Sequence, residues 1–479
     1  MNSADTARLS RIAERAVSEA GFLPHPSPAA LAEAQAAPDA PPRLEGARDL
    51  TGLPWSSIDN PESRDLDQIE AVEEVDGGVK LYVGVAAVAA SVADRGEVEA
   101  YAAHNTTSVY TGVRVFPMLP ERYSYGLTSL LPGVERPAVV VESSISPDGA
   151  ATSFSVYPAR VFNRAQLAYP EVSAWLDGAA APPPALKNSP DLQRQLRLQD
   201  ALAKTLGERR RRLGALDVDT HEIKVVLDES GDFRGLSTHK QDRAGAIIEE
   251  LMVASNESLA RELDRRGLPS IRRVVKQPER WSKIVAYAAG LGTQLPDNPD
   301  SGALARFAQE MRRRHPERFA EISVSLVKLI GRGEYEAHLP GDAETGHFGL
   351  AADAYAHSTA PNRRYSDLVA QRIALGLKRY SMDELAAIAA RCTERGTRAK
   401  KVERSVRKSA AALLLSHQVG RVFDGIVTGA DRGVYAQILS DHIEGRIVRG
   451  ERGLRVGDRV RLKLVEVSVE RGWIDFAAA

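Results

Sequence analysis

Apolar positions recur at helical spacing from the start of the chain, where Leu9, Ile12, Ala16 and Val17 share one face of residues 4–20. The run GFLPHPSP breaks this pattern, and Ser27 as N-cap with Pro28 at the first helical position predicts a second helix over Ala29–Ala37. Residues 36–42 (AAPDAPP) read as a linker. From Leu50 the period changes. Val79–Val88 and Ala138–Glu142 are apolar runs expected of buried strands, and Phe154–Phe162 alternates more loosely. A Pro/Ala-rich stretch, Gly178–Ala185, punctuates the middle. Beyond it the pattern predicts a charged helix over 190–213 ending in Arg209–Arg212, then a strand Ile223–Leu227 with a turn at Glu229–Gly231. A strongly periodic helix is expected over Ala244–Glu262, and helices should dominate Ser301–Arg332 and Ser366–His417. Residues 420–479 switch again, to five short β runs with glycine turns, the pattern of a small closed barrel of the OB type.

At 479 residues the chain is long enough for two to four domains. The periodic segments divide it into a helical module at 1–47, a mixed α/β body at 48–416 and the barrel at 417–479, an α+β protein as a whole. A hydrophobic share of 43% supports a sizeable core. The net charge of -1 does not mark a nucleic-acid binder, so any basic surface must be local. One cysteine, Cys392, cannot form an intrachain disulfide, which suits a reducing cytoplasm. The charged first twenty residues lack the apolar core of a signal peptide, and nowhere do about 18 apolar residues run together. The expectation is a soluble cytoplasmic monomer without a membrane partner.

Two segments carry candidate chemistry. Ser57–Glu70 (SIDNPESRDLDQIE) places Asp59, Asp65 and Asp67 within nine residues. Asp65 and Asp67 alternate, so on an extended segment they face one side, and the Asn60–Arg64 turn can return Asp59 to it. Clustered carboxylates repel unless a cation neutralises them, and an all-oxygen set favours Mg²⁺ or Mn²⁺ over zinc. Taken alone, the same spacing also fits a solvated acidic turn. The second segment, Ala354–Arg372, puts Arg363 and Arg364 at or before a helix that starts near Ser366, an arrangement that suits an anion. Ion pairing to Asp353 or Asp367 is the alternative.

Together the segments resemble the ribonuclease II family, whose catalytic domain is termed RNB. Asp49-Leu50-Thr51-Gly52-Leu53-Pro54 leads into Ser57-Ile58-Asp59 and Asp65-Leu66-Asp67, similar to the family's first motif. His357 to Leu368 (HSTAPNRRYSDL) is similar to its second. Ser108-Val109-Tyr110, Pro117–Glu121, Ile248–Met252 with Asn256-Glu257, and His347–Leu350 match further motifs in family order. The resemblance implies a Mg²⁺-dependent 3′-to-5′ exoribonuclease that releases nucleoside 5′-monophosphates from single-stranded RNA. It implies that Asp59, Asp65 and Asp67 form the metal and catalytic cluster, that Arg363 stabilises the cleaved phosphate with Arg364 beside it, and that Tyr110 stacks on the terminal base. Glu403 falls where the family has a glutamate near the RNA end, although an i,i+4 pair with Arg407 explains it equally.

This chain departs from the pattern in places. The fourth aspartate of the first motif is Gln68, whose amide oxygen can ligate a metal but carries no charge. The family's second stacking aromatic has only Trp281 as a candidate. These losses leave open a catalytically weak or inactive RNA-binding protein. The barrel resembles an S1-type OB domain, with Phe423, Tyr435 and His442 expected as a stacking face and arginines from Arg446 to Arg461 as a basic patch. Fewer than fifty residues precede the first motif, too few for the family's two cold-shock barrels. The helical module would replace them as a helix-turn-helix-like RNA contact or serve as a packing cap. A wider entrance would then admit RNA with structured regions.

Overall fold

The computed structural model describes every residue except 1, 2, 220, 221, 229, 240, 344, 431, 432 and 479. The expected turn at Glu229–Gly231 therefore begins outside the described residues. The first helix, Ser3–Glu19, and the second, Pro28–Ala36, form as the pattern predicts, and the Ser27 hydroxyl accepts the Ala30 N–H at 3.0 Å. Leu9, Ile12, Ala13 and Val17 are buried against the long helix Met382–Leu415 and its surroundings. Arg8 and Arg15 are paired with Glu470 at the far end of the chain. The module packs as a cap, with its apolar face spent on the body.

The body is built on a five-stranded sheet. Its order is Arg48–Asp49, Ala151–Phe162, Glu135–Ile145, Gly78–Ala86 and Gln68–Val75, antiparallel except for the first pair. The two central runs are buried because both faces are covered, which is why they read as continuous rather than alternating hydrophobics. Helices Pro190–Leu213 and Arg243–Arg265 cover one face over Val72, Val83, Val85, Leu202, Ile247 and Leu251. The opposite face packs on Trp55, Ile69, Leu368 and Val369. The edge strand Gln68–Val75 is not left open. Gln195 bonds both the N–H and the C=O of Val72, at 2.9 and 2.6 Å, so a side chain stands where another strand would pair.

The tail forms a closed five-stranded barrel, Val422–Gly429, Val434–Ile438, Glu444–Arg449, Trp473–Ala478 and Arg459–Ser468, in that order around the wall. Closure depends on Gly425, where a Cβ would lie 2.9 Å from the Gln437 carbonyl oxygen and collide with Leu462. Among the described residues no helix is long and apolar enough to cross a membrane.

Candidate active site

The strand Ser57–Asp59 runs parallel to Gln166–Ala168 and buries Ile58 against Val172 and Ile248, which delivers Asp59 to the end of a rigid element. The chain then turns. Ser129 pins the turn from both sides: its hydroxyl donates to the Arg64 carbonyl at 2.9 Å and accepts the Leu66 N–H at 3.0 Å. Leu66 is fully buried and its carbonyl accepts the Leu130 N–H at 3.0 Å. These anchors bring Asp65 and Asp67 back beside Asp59, and the Ala86 N–H bond to the Asp67 carbonyl starts the edge strand.

The arginine segment arrives from the other side. Helix Tyr365–Ala374 begins at Arg364, whose guanidinium forks onto fully buried Asp367 at 2.6 and 3.0 Å. Arg364 is thus committed to the helix start, the ion-pairing alternative of the sequence, and does not share Arg363's position. Arg363 donates from Nε to Asp67 Oδ2 at 3.1 Å, while the Asn362 N–H donates to Oδ1 at 2.9 Å. Both oxygens of a carboxylate that is only 3% exposed are engaged.

Residues 106–110 pair alongside. The Ser108 N–H donates to the Arg363 carbonyl at 3.0 Å and the Tyr365 N–H to the Thr106 carbonyl at 2.9 Å. Tyr110 follows, 38% exposed, with its hydroxyl donating to Asp65 Oδ2 at 2.8 Å and its N–H to Glu403 Oε1 at 3.3 Å. Asp65, Asp67, Tyr110, Arg363 and Glu403, distant in sequence, are therefore brought together in one hydrogen-bonded cluster. Asp59 stands within reach of the charges of Asp65 and Arg363. Burial pushes the Asp59 carboxyl up to about 6, and burial also pushes Asp67 up to about 7 despite the Arg363 guanidinium.

Among the described residues no three His, Cys, Asp or Glu side chains are drawn into a preformed metal shell. The feature there that suits a cation is a set of unsatisfied buried oxygens. Asp59 Oδ2 is buried without a hydrogen-bond partner, and so are both carboxylate oxygens of Glu70. The donor set is oxygen-only, which matches Mg²⁺ or Mn²⁺. Glu70 was not among the expected site residues. Its signal was its place two residues after Gln68 on the same strand, which puts both on one face.

Two expected aromatics are corrected. Phe423 is 7% exposed and packs in the barrel interior with Leu462 and Phe476, so it cannot stack on bases. The barrel core needed an aromatic on that strand face. Trp281 is 4% exposed, donates from Nε1 to the Pro296 carbonyl at 2.8 Å and meets Phe348 edge-on, as part of a separate helical core. Tyr435 and His442 remain partly exposed, and the Lys408 ammonium lies 6.0 Å from the Tyr435 ring centre. Arg446, Arg449, Arg452, Arg455, Arg459, Arg461 and Lys463 are all exposed.

Comparison with known proteins matches the RNB domain at residues 47–379 and the RNase II-type exonuclease C-terminal S1 domain at residues 421–479. Ribonuclease R of Thermotoga maritima is 30% identical over 471 residues, which cover 90% of this chain and 65% of that protein. The chain thus spans a little under two thirds of that relative's length. RNase R of Mycoplasma genitalium, solved with ribose-methylated single-stranded RNA, superposes with a TM-score of 0.88 at 23% identity, covering 100% of this chain and 79% of that one. The same protein solved with double-stranded RNA gives 0.86 at 24%, covering 100% and 84%. Yeast Ssd1, described as a pseudonuclease, gives 0.66 at 18%, covering 88% and 53%. These likenesses establish the shared fold.

Proposed function

Because the chain belongs to the RNB-domain family, we propose that it is a divalent-metal-dependent 3′-to-5′ exoribonuclease acting on single-stranded RNA, including RNA with structured regions. The observation that carries this reading is the convergence of Asp65, Asp67, Tyr110 and Arg363 in one hydrogen-bonded pocket beside Asp59. An RNA-binding role alone would not require the Arg363 pair to stand beside Asp59, Asp65 and a tyrosine bonded to Asp65.

Asp59 and Asp65, with the Gln68 amide oxygen, would hold Mg²⁺ or Mn²⁺, and Asp67, the third aspartate of that cluster, would back them while its two oxygens accept from Asn362 and Arg363. Such an ion, when bound, supplies Lewis acidity at the phosphate and lowers the pKa of water. The chain's own groups do the rest. The Tyr110 ring would stack on the terminal base, with the Tyr110 hydroxyl bond to Asp65 fixing the ring's orientation. Glu403, which accepts the Tyr110 N–H, would bind near the last nucleotide. Asp67 holds Arg363 through Nε, which leaves the two terminal nitrogens of the fork for the phosphate. As water oxygen bonds to phosphorus and the bond to the 3′ oxygen breaks, charge grows on the non-bridging oxygens, and Arg363 would stabilise it. Arg364, bound to Asp367, would act by positioning its neighbour. The product would be a nucleoside 5′-monophosphate. Tyr435, His442 and the exposed barrel arginines would hold the strand farther from its 3′ end. The enzyme would work as a cytoplasmic monomer.

The lost charge at Gln68, together with a pseudonuclease among the shared folds, favours one second reading: an RNA-binding protein with little or no catalysis. A 5′-labelled linear RNA incubated with Mg²⁺ separates the two. A ladder shrinking from the 3′ end and abolished by chelator supports the nuclease; binding without shortening supports the second reading.

A further inference from the structure

We propose that Glu70 replaces the carboxylate missing at Gln68 and, with Asp59, supplies the charge that holds the divalent cation. This inference rests on the metal-dependent reading above and assigns a ligand that the motif does not contain.

Gln68 and Glu70 are the first and third residues of the strand Gln68–Val75, paired in register with Val85 and Val83. Residues two apart on a strand share a face, roughly 7 Å from each other along it. Gln68 is almost buried and Glu70 is 0% exposed. Neither carboxylate oxygen of Glu70 has a hydrogen-bond partner, and among the described residues no lysine, arginine or histidine pairs with it. A buried carboxylate left without a donor or counter-charge is among the costliest groups a fold can keep. The surroundings repeat the same deficit. Ser56 exchanges backbone hydrogen bonds with Glu70 at 2.9 and 3.3 Å, yet its buried hydroxyl is unpartnered, and Asp59 lies three residues farther along that segment with an unpartnered buried Oδ2. Asp59 is also the charge that acts on Glu70. The cation that serves the rest of the pocket, Arg363, is already bonded to Asp67. A fully buried carboxylate with two unpartnered oxygens, beside a second carboxylate with an unpartnered oxygen, is a place that a hard divalent ion would satisfy. In this reading the carboxylate has moved two residues along the same strand face, so the site keeps its charge although the motif lost an aspartate.

The test uses the full chain, stripped with chelator and titrated with Mn²⁺ in the absence of RNA, with the free ion followed by electron paramagnetic resonance. Glu70→Gln should weaken Mn²⁺ binding by about tenfold or more, and adding Gln68→Asp to it should restore affinity to within about threefold. Melting gives an independent readout. Mn²⁺ should raise the Tm of the natural chain and of the double variant, and raise that of Glu70→Gln much less. A merely structural role would shift the chelated Tm and leave the Mn²⁺ increment unchanged. Should Glu70→Gln not fold, Gln68→Asp alone decides: a gain below about threefold supports Glu70 as a ligand, and a gain of about tenfold overturns it. Binding by Glu70→Gln within about twofold of the natural chain, or absence of Mn²⁺ binding by the natural chain, also overturns the inference. RNA shortening is scored separately, so an active natural chain with an indifferent Glu70 leaves the nuclease reading standing, and a bound but unshortened RNA removes that reading while the titration still judges Glu70.

Discussion

In the pocket around Asp59, Asp67 and Glu70 the charges are few, buried and incompletely satisfied, whereas the barrel carries its arginines exposed on strands whose inward residues are apolar. The pocket takes its strength from burial, because each interaction there is screened little and each missing partner costs much. The barrel takes its strength from number, because exposed charges are individually weak and salt-screened. The two regions should therefore respond to substitution on different scales, one in rate and the other in affinity.

The largest effect expected is from Asp67→Asn, which removes the charge that holds Arg363. Shortening should fall by roughly a thousandfold or more while RNA affinity, measured by filter binding, stays within about threefold. A matching loss of affinity would break the division between the regions. Arg363→Lys keeps the charge and loses the fork, so kcat should drop by about a hundredfold in single-turnover assays.

The barrel offers a comparison within itself. Phe423→Ala should destabilise it by about 3–5 kcal/mol in chemical denaturation, as removal of a core aromatic does. Tyr435→Ala should leave the melt intact and cost about 1–3 kcal/mol of RNA affinity, as loss of a stacked base does. Replacing Arg459, Arg461 and Lys463 together by alanine should reduce the slope of log affinity against log salt by about 2 for single-stranded RNA.

The smallest effect is the pH dependence of metal-free stability. Asp59 and Asp67 have carboxyls raised from an ordinary 3.8 to about 6 and about 7. Their stabilising contribution is then fully present below about pH 4 and is lost as pH rises through 6 and 7. In chelator, the natural chain should lose Tm relative to Asp59→Asn between about pH 4 and about pH 6, the interval between the ordinary and the raised Asp59 value. Saturating Mn²⁺ should erase that loss, since a metal binds the ionised forms.

Much of this was legible without coordinates. The helices Ser3–Glu19, Pro190–Leu213 and Arg243–Arg265 lie where the sequence pattern placed them, because the apolar positions that recur at helical spacing are the ones each helix buries. The five strands of the barrel were readable from their turns. Phe423 and Trp281 were misread because residue type tells that an aromatic is present, while its burial depends on which strand or helix closes over it. Arg363 and Arg364 are adjacent and identical in type, yet one faces Asp67 and the other is committed to Asp367.

The sequence by itself determined the order of elements, the family motifs and the acidic and arginine segments, since these follow from local periodicity and residue chemistry. Only the tertiary structure decided which charges share a pocket and which are left unsatisfied. Asp67 meets Arg363 across nearly three hundred residues, and Glu70 looks like one more acid on an acidic strand until burial removes its water. The physical reason is that desolvation and partnering depend on the folded surroundings, and no local pattern of residues records them.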